Sequence, residues 1–271
     1  MLIAQITDTH IKPPGKLAYG RVDTAPALAA CVAAIAALDP LPDVLLATGD
    51  LVDGGTEGEY ARLRDLLAPL RMPILPIPGN HDERGAMRAA FADCRFLPQD
   101  GDFLQYVVDD WPVRLIALDT VIPKKTGGEL CDRRLAWLDA QLAAAPDKPT
   151  LVFMHHPPFA TGIAMMDALG LADAKPFTTV IAKHKQVERI VAGHVHRSIQ
   201  ARVGGTVAST CPSTAHQMEL DLSGGKTGFM LEPAGYQLHL WRENLLVTHT
   251  AVVGPFPGPF PYFDAGGAAV Q

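Results

Sequence analysis

No block of Lys or Arg longer than a pair occurs in this 271-residue chain, whose net charge is −6. That excludes the electrostatic footprint expected of a protein that grips duplex nucleic acid or an anionic membrane surface. Long apolar runs are missing too, so no membrane span is expected. The opening stretch Met1 to Asp8 is broken by Gln5 and Asp8 and has no basic leader, which argues against a signal peptide and for a cytoplasmic protein. Cysteine is scarce: Cys31, Cys94, Cys131 and Cys211 are the 4 present, with no C-x-x-C spacing. They suit reduced thiols filling a core. No G-x-S-x-G exists, which removes the usual serine hydrolase. Gly224-Gly225-Lys226-Thr227 matches only the end of a P-loop, because position 220 is Leu where the upstream Gly belongs; Ser223-Gly224-Gly225 reads as a hairpin turn.

Hydrophobic residues make up 48% and charged ones 19% of the chain, enough for a substantial core. One domain over 1–253 is expected, followed by an extended Pro/Phe-rich tail over 254–271 that either latches onto this subunit or a neighbour through its aromatics or is a loosely held terminus. Leu2 to Thr7 reads as a buried strand delivering Asp8 and His10, which share a side if the backbone stays extended. A helix capped by Asp23 or Thr24 runs to Leu38. Asp43 to Thr48 is a second buried strand, ending in Gly49-Asp50. An amphipathic helix from about Glu57 to Leu70 follows. Pro73 to Ile77 is a third strand, and Gly79 lets the chain turn so that Asn80, His81 and Asp82 emerge at its end. This repeated strand-loop-helix order marks a layered α/β sheet.

Later strands are expected over Phe103 to Val108, Val113 to Leu118, Thr150 to Met154 and Glu188 to Ala192. Helices are expected over Arg133 to Ala145 and Pro176 to Lys185. The last quarter, from Ser198 to Val253, has short alternating runs that read as a meander completing a second sheet.

Five strand ends thus terminate in possible metal ligands: Asp8 with His10, Asp50, Asn80, His155, and His194 with His196. Any one alone is as readily a hydrogen-bonded surface pair. Five together are not, since buried strands do not end in acids and imidazoles without a partner that offsets desolvation. Seven side chains exceed what one zinc takes and suit two metals. Asp50, alone in its loop, is the natural bridge; Asp8, His10 and His196 complete one site, and Asn80, His155 and His194 the other. Carboxylate, amide and imidazole without thiolate favour Mn, Fe, Co or Zn. Positions left open would take a bridging water or hydroxide and a substrate oxygen, which describes hydrolysis at phosphorus. His81 is not needed as a ligand and is the candidate to stabilise the transferring phosphoryl group or protonate the leaving alkoxide.

Asp8-x-His10, Gly49-Asp50-x-x-Asp53, Gly79-Asn80-His81-Asp82, His155 and Gly193-His194-x-His196 together resemble the ordered blocks of calcineurin-like metallophosphoesterases. The resemblance implies an α/β (α+β) fold, a four-layer αββα sandwich of two packed mixed β-sheets flanked by helices. It implies the same division of ligands between two metals, with an Fe/Mn-type pair favoured. Within the family, the chain is most similar to the glycerophosphodiesterase and class III cyclic nucleotide phosphodiesterase branch. The N-terminal decapeptide Met1 to His10, Tyr19-Gly20-x-x-Asp23, Phe153-Met154-His155-His156-Pro157-Pro158 and Thr214-Ala215-His216-Gln217 carry that similarity. By it, His216 would face the substrate phosphate, small phosphodiesters would be the substrates and the protein would be a homo-oligomer, dimeric or dimer-based. His156 has no ligand role in this scheme, and Met165-Met166-Asp167 resembles a substrate-side loop. Gly54-Gly55 stands after Asp53 where protein phosphatases carry Arg. The alternatives are a phosphomonoesterase on the same fold and a non-catalytic scaffold of this fold, which the intact ligands oppose.

Overall fold

The computed structural model describes residues 1–225, 228–264, 266 and 269. Lys226 and Thr227, part of the segment compared with a P-loop, lie outside the described residues, as do 265, 267, 268, 270 and 271 of the tail. In chain order the first half contains β1 (Leu2–Ile6), α1 (Thr24–Ala36), β2 (Val44–Thr48), α2 (Glu57–Leu67), β3 (Ile74–Ile77), α3 (Arg84–Ala90), β4 (Tyr106–Val108), β5 (Arg114–Leu118) and α4 (Asp132–Ala143). The second half contains β6 (Thr150–Met154), α5 (Ala164–Ala168), α6 (Lys175–Lys183), β7 (Val187–Ala192), β8 (Gln200–Val203), β9 (Thr206–Thr210), β10 (Gln217–Met218), β11 (Phe229–Met230), β12 (Gly235–Arg242) and β13 (Leu245–Val252).

Local chemistry explains the helices. Asp23 caps α1 by accepting from Ala25 N, and Leu28, Cys31, Val32 and Ile35 form its buried stripe at helical spacing. Thr56 and Glu59 form a reciprocal capping box on α2. Both α1 and α2 stop short of the expected ends, at Ala36 and Leu67. The short α3 after His81 had no clear apolar period to announce it.

Two sheets stack face to face. One has the order β13-β12-β1-β2-β3 and the other β4-β5-β6-β7-β9-β8. Strand alternation shows the layering directly: Leu115, Ala117, Leu151 and Phe153 join the core shared with the first sheet and α1 to α3. Ile116, Leu118, Val152 and Met154 point the other way, against α4 and α6. The result is the four-layer αββα sandwich. The expected meander does not complete a single second sheet. Strands β8 and β9 do join that sheet, but β12 pairs antiparallel with β1 in the first, Leu2 opposite Leu240. Period-two alternation gives a strand its faces but not its sheet. In the tail, Phe256, Phe260, Tyr262 and Phe263 remain exposed rather than packed on this chain.

The sheets are tied by buried polar groups. Gln5 on β1 donates to Thr48 Oγ1 at 2.9 Å and across the sheet interface to Ala192 O at 3.1 Å. Its Oε1 accepts from His239 Nε2 at 3.1 Å. Burial, reinforced by Arg189, pushes the His239 imidazole from 6.5 down to about 3. The folded protein therefore keeps this ring neutral, while the unfolded chain takes up a proton below about 6.5. Its contribution to stability is complete above that pH and is lost as pH falls toward 3. Urea unfolding between pH 7 and 4.5 should show wild type losing stability faster than His239→Gln, by up to about 1.4 kcal/mol per pH unit. Parallel curves would remove His239 from this account.

Candidate metal centre

Strands β1, β2, β3, β6 and β7 end on one rim, where the sheets meet, and each releases polar side chains there. The backbone at these ends is unusual. Asp8 (φ 51°), His10 (42°), Asp50 (49°), His194 (70°) and His196 (50°) all lie in the left-handed region. That conformation costs a non-glycine residue about 1–2 kcal/mol each and persists only where the surroundings enforce it. Here Asp8 N donates to Gly49 O at 3.0 Å and His10 N to Asp50 O at 2.9 Å. Asp8 and His10 therefore do not share a side through an extended strand, as the spacing suggested; tight turns bring them together. Gly79 differs as well: it is not among the positive-φ glycines. The expected turn is there, with Asp82 N donating to Gly79 O at 3.1 Å, but a Cβ at Gly79 would lie 2.2 Å from Asp50 Oδ1 and 2.3 Å from Asp50 N, so what demands glycine is the closeness of two loops.

All seven expected ligands converge, and hydrogen bonds set which atom each presents. The Nδ1 of His155 lies 2.9 Å from Thr48 O, the Nε2 of His194 3.1 Å from Leu169 O, and the Nδ1 of His196 3.1 Å from His216 O. A carbonyl can only accept, so each of these nitrogens carries a proton and the other ring nitrogen is left as a donor to a metal. His196 Nε2 then faces Asp8 Oδ1 at 3.2 Å and His10 Nε2 at 3.3 Å. His155 Nε2 faces Asn80 Oδ1 at 3.2 Å. Between the two groups lies Asp50: its Oδ2 is 3.4 Å from His155 Nε2 and 3.8 Å from His10 Nε2. Donor atoms of Asp8, His10 and His196 fall within 4.8 Å of one another, as do those of Asp8, Asp50 and His155.

The donor set fits divalent cations on two observations. Asp8 Oδ1 is buried with no hydrogen-bond partner, although buried carboxylate oxygens are normally satisfied. Electrostatics makes the same demand. Burial alone would raise the Asp50 and Asp8 carboxyls, but His155 and His196 respectively outweigh it and hold both well below the usual range. Burial likewise lowers His155, yet Asp50 and Asp8 push it up to about 9. Two buried carboxylates thus favour positive charge where His155 Nε2 points, the place a divalent cation would take in exchange for the imidazole proton.

Supporting residues extend the site beyond the sequence expectation. Asp53 Oδ1 lies 3.5 Å from His10 Nδ1 and so orients that ring, while its other oxygen pairs with Lys12. Asp82 ties the two ligand loops together by accepting from Gly79 N at 2.8 Å, Leu51 N at 3.1 Å and Tyr60 Oη at 2.7 Å. Both residues stood in the motif blocks without a role. His156 is occupied by Thr120 Oγ1 at 2.8 Å and Thr126 O at 3.0 Å. Both of its nitrogens are engaged, although one of them also lies within 4.8 Å of ligand atoms of His155 and His194. Asp167 caps its own loop through Thr161 N and Gly162 N, and Met166 is core, packed with Ile163 and Val195.

His81 is half-buried beside the cluster, its ring edge-on to His10 at 4.7 Å. Its backbone N donates to Asp50 Oδ1 at 2.8 Å and its Nδ1 lies 2.9 Å from Asp53 O. Burial lowers this imidazole, but Asp50 and Asp53 more than compensate and raise it. His216 is buried, 4.6 Å ring to ring from His196, and its Nδ1 has no hydrogen-bond partner. Burial pushes it down to about 3, so the ring is neutral.

A buried carboxylate, amide and imidazole cluster on the shared rim of an αββα sandwich is the architecture of a metallohydrolase. Comparison with known proteins narrows it. A family model described as calcineurin-like phosphoesterase matches residues 1–198. The chain is 38% identical over its full length, and the full length of the relative, to a protein of Arcobacter nitrofigilis named "Probable glycerophosphodiester phosphodiesterase GpdQ". It is 32% identical to the 3',5'-cyclic adenosine monophosphate phosphodiesterase CpdA of Escherichia coli, over 91% of this chain and 87% of the relative. Among solved structures, a dimetal phosphatase from Danio rerio superposes with a TM-score of 0.70 at 15% identity, covering 93% of this chain and 98% of that one. The chain belongs to the calcineurin-like phosphoesterase family.

Gly193 provides a direct test of the cluster. A Cβ there would sit 2.0 Å from Thr7 Oγ1 and 2.8 Å from Asp8 Oδ2. Gly193→Ala should leave the protein folded, at a cost of about 1–3 kcal/mol, while displacing Asp8 and lowering bound metal measured by elemental analysis. Full metal retention in the folded variant would count against Asp8 as a ligand.

Proposed function

We propose that the protein is a metal-dependent phosphodiesterase that hydrolyses small phosphodiesters, 3',5'-cyclic nucleotides or glycerophosphodiesters. The observation that carries this reading is the position of Asp50 Oδ2 between two groups of outward-facing donor atoms. In this reading Asp8, His10 and His196 hold one ion, Asn80, His155 and His194 the other, and Asp50 is shared. When bound, two divalent cations, an Fe/Mn-type pair or Zn or Co, would supply Lewis acidity toward a phosphoryl oxygen and make water acidic enough to ionise near neutrality. Full-length similarity to relatives named as phosphodiesterases supports the diester class over the monoester class.

The chain's own groups supply the remaining chemistry. Asp53 O accepts from His81 Nδ1, which leaves His81 Nε2 to act on substrate. When protonated, that nitrogen can stabilise a phosphoryl oxygen or give its proton to the leaving alkoxide. His216, neutral and packed against His196, contacts the phosphate through hydrogen bonding rather than charge. No helix among the described residues is long and apolar enough to cross a membrane, and the reading extends to a cytoplasmic protein. It also extends to a homo-oligomer that buries exposed tail aromatics such as Tyr262; a sedimentation mass of one chain would overturn that part.

Steady-state hydrolysis of a matched panel tests the reading: an aryl phosphodiester, its monoester, a cyclic nucleotide and a glycerophosphodiester. Diesters should lead the monoester by at least about tenfold in kcat/KM, or about 1.4 kcal/mol. A leading monoester would make the protein a phosphatase. In the same assay His81→Ala should lower kcat with metal content intact; a large loss of metal would make His81 a ligand instead.

A further inference from the structure

At the opposite end of β3 from Asn80 lies a cavity of about 530 Å³, between the last turn of α2 and the segments around 93–96 and 110–111. Its size falls in the range of small-molecule sites, roughly 300–1,000 Å³. Leu67, Leu70 and Leu75 provide buried apolar wall and Trp111 an aromatic one.

The charges around it are unequal. Arg64 pairs with Asp93 at 2.7 Å, and Arg95 pairs with Asp110 while lying over the Phe96 ring at 4.5 Å. Both carboxylates are thus engaged, which leaves no acidic group for a cation. Arg71 remains: it is exposed, and no hydrogen bond or ion pair engages its guanidinium among the described residues. It also lines an adjoining cavity of about 330 Å³, which shares Leu70, Arg71 and Met72 with the first. Arg71 thus stands, unpaired among the described residues, between a hollow with an apolar wall and a more polar one, in a chain of net charge −6. Nonspecific attraction of anions is weak in such a field.

We propose that this cavity is a second binding site, for a small aromatic or aliphatic carboxylate whose charge meets Arg71 and whose apolar body lies against Leu70 and Trp111. A planar guanidinium takes a carboxylate through two parallel hydrogen bonds, a geometry that a lysine cannot offer. One free cation is too little for a polyanion, so nucleic acid is not the occupant. Strand β3 carries the chain about 13 Å, at roughly 3.3 Å per residue, from this cavity toward the Asn80 loop, so an occupant here does not touch the metal cluster.

Isothermal titration of the metal-loaded protein with 2-naphthoate tests the assignment, with 2-naphthylmethanol as the neutral counterpart. Saturable binding of one naphthoate per chain is expected. Arg71→Gln, which removes the charge, and Ala68→Trp, which fills the cavity from an exposed position that lines it, should each weaken binding by at least about tenfold. The alcohol should bind at least about tenfold more weakly than the carboxylate, and both variants should hydrolyse diesters at the wild-type rate. The proposal is overturned by absence of saturable binding, by equal affinity in wild type and both variants, as binding at the metal cluster would give, or by an alcohol that binds as well as the acid.

Discussion

Two carboxylates, Asp8 and Asp50, are held ionised at almost complete burial, and the arrangement of both sheets can be understood as the means of keeping them so. Removing a carboxylate from water costs several kcal/mol, recovered only with opposite charge and hydrogen bonds at close range. Asp8 Oδ2 receives Thr7 Oγ1 at 2.7 Å and His194 N at 2.9 Å. Asp50 Oδ1 receives the His81 backbone. What remains on each carboxylate is one oxygen turned toward the imidazoles of His10, His155 and His196, the last two of which hold a carbonyl through their other nitrogen. The protein satisfies half of each group and leaves the other half for a cation.

Holding those halves in register requires the two sheets to touch without intervening side chains. Gly193 on the second sheet lies against Thr7, Asp8 and Thr48 of the first, and Gly79 lies against Asp50. Gln5 reaches from β1 to the carbonyl of Ala192. The left-handed backbone at five of the ligand positions is then a consequence: a strand that continued extended would carry its side chain past the rim, whereas a residue at positive φ turns it back into the gap. The conformational cost is offset by sheet packing on both sides, where Ile3, Leu45, Leu75, Phe153 and Val191 belong to one continuous core.

Much of this was legible in the sequence, and what was not has a physical reason. Ligand types and their place at strand ends follow from local facts: apolar runs too buried to tolerate an unsupported acid or imidazole. The role of Gly79 did not follow, since close approach to Asp50, 29 positions away in the chain, is invisible to turn propensity. Asp53 and Asp82 were in view as motif members, but their work lies in contacts with partners in other loops, a carboxylate beside His10 Nδ1 for Asp53 and a hydrogen bond from Leu51 N for Asp82. The sheet to which β12 belongs was equally hidden. Its pairing with β1 joins Leu2 to Leu240, and no local pattern chooses which of two sheets a half-buried strand will join.

Cavity size and buried charge point to different ends of the molecule, and the difference is informative. The roughly 530 Å³ hollow near Trp111 is part apolar wall, part charged edge, with two paired arginines and the single guanidinium of Arg71; it can hold a ligand, but it gathers no donor set for a metal. At the other end of β3, donor atoms crowd within 4.8 Å of one another and leave room for ions rather than for a large molecule. Chemistry at phosphorus needs concentrated charge and fixed dipoles, not volume. Beside the cluster the rings of Tyr19, Phe229 and His216 lie within 5.2 to 5.4 Å of one another, so aromatic surface stands next to the donor atoms and not among them.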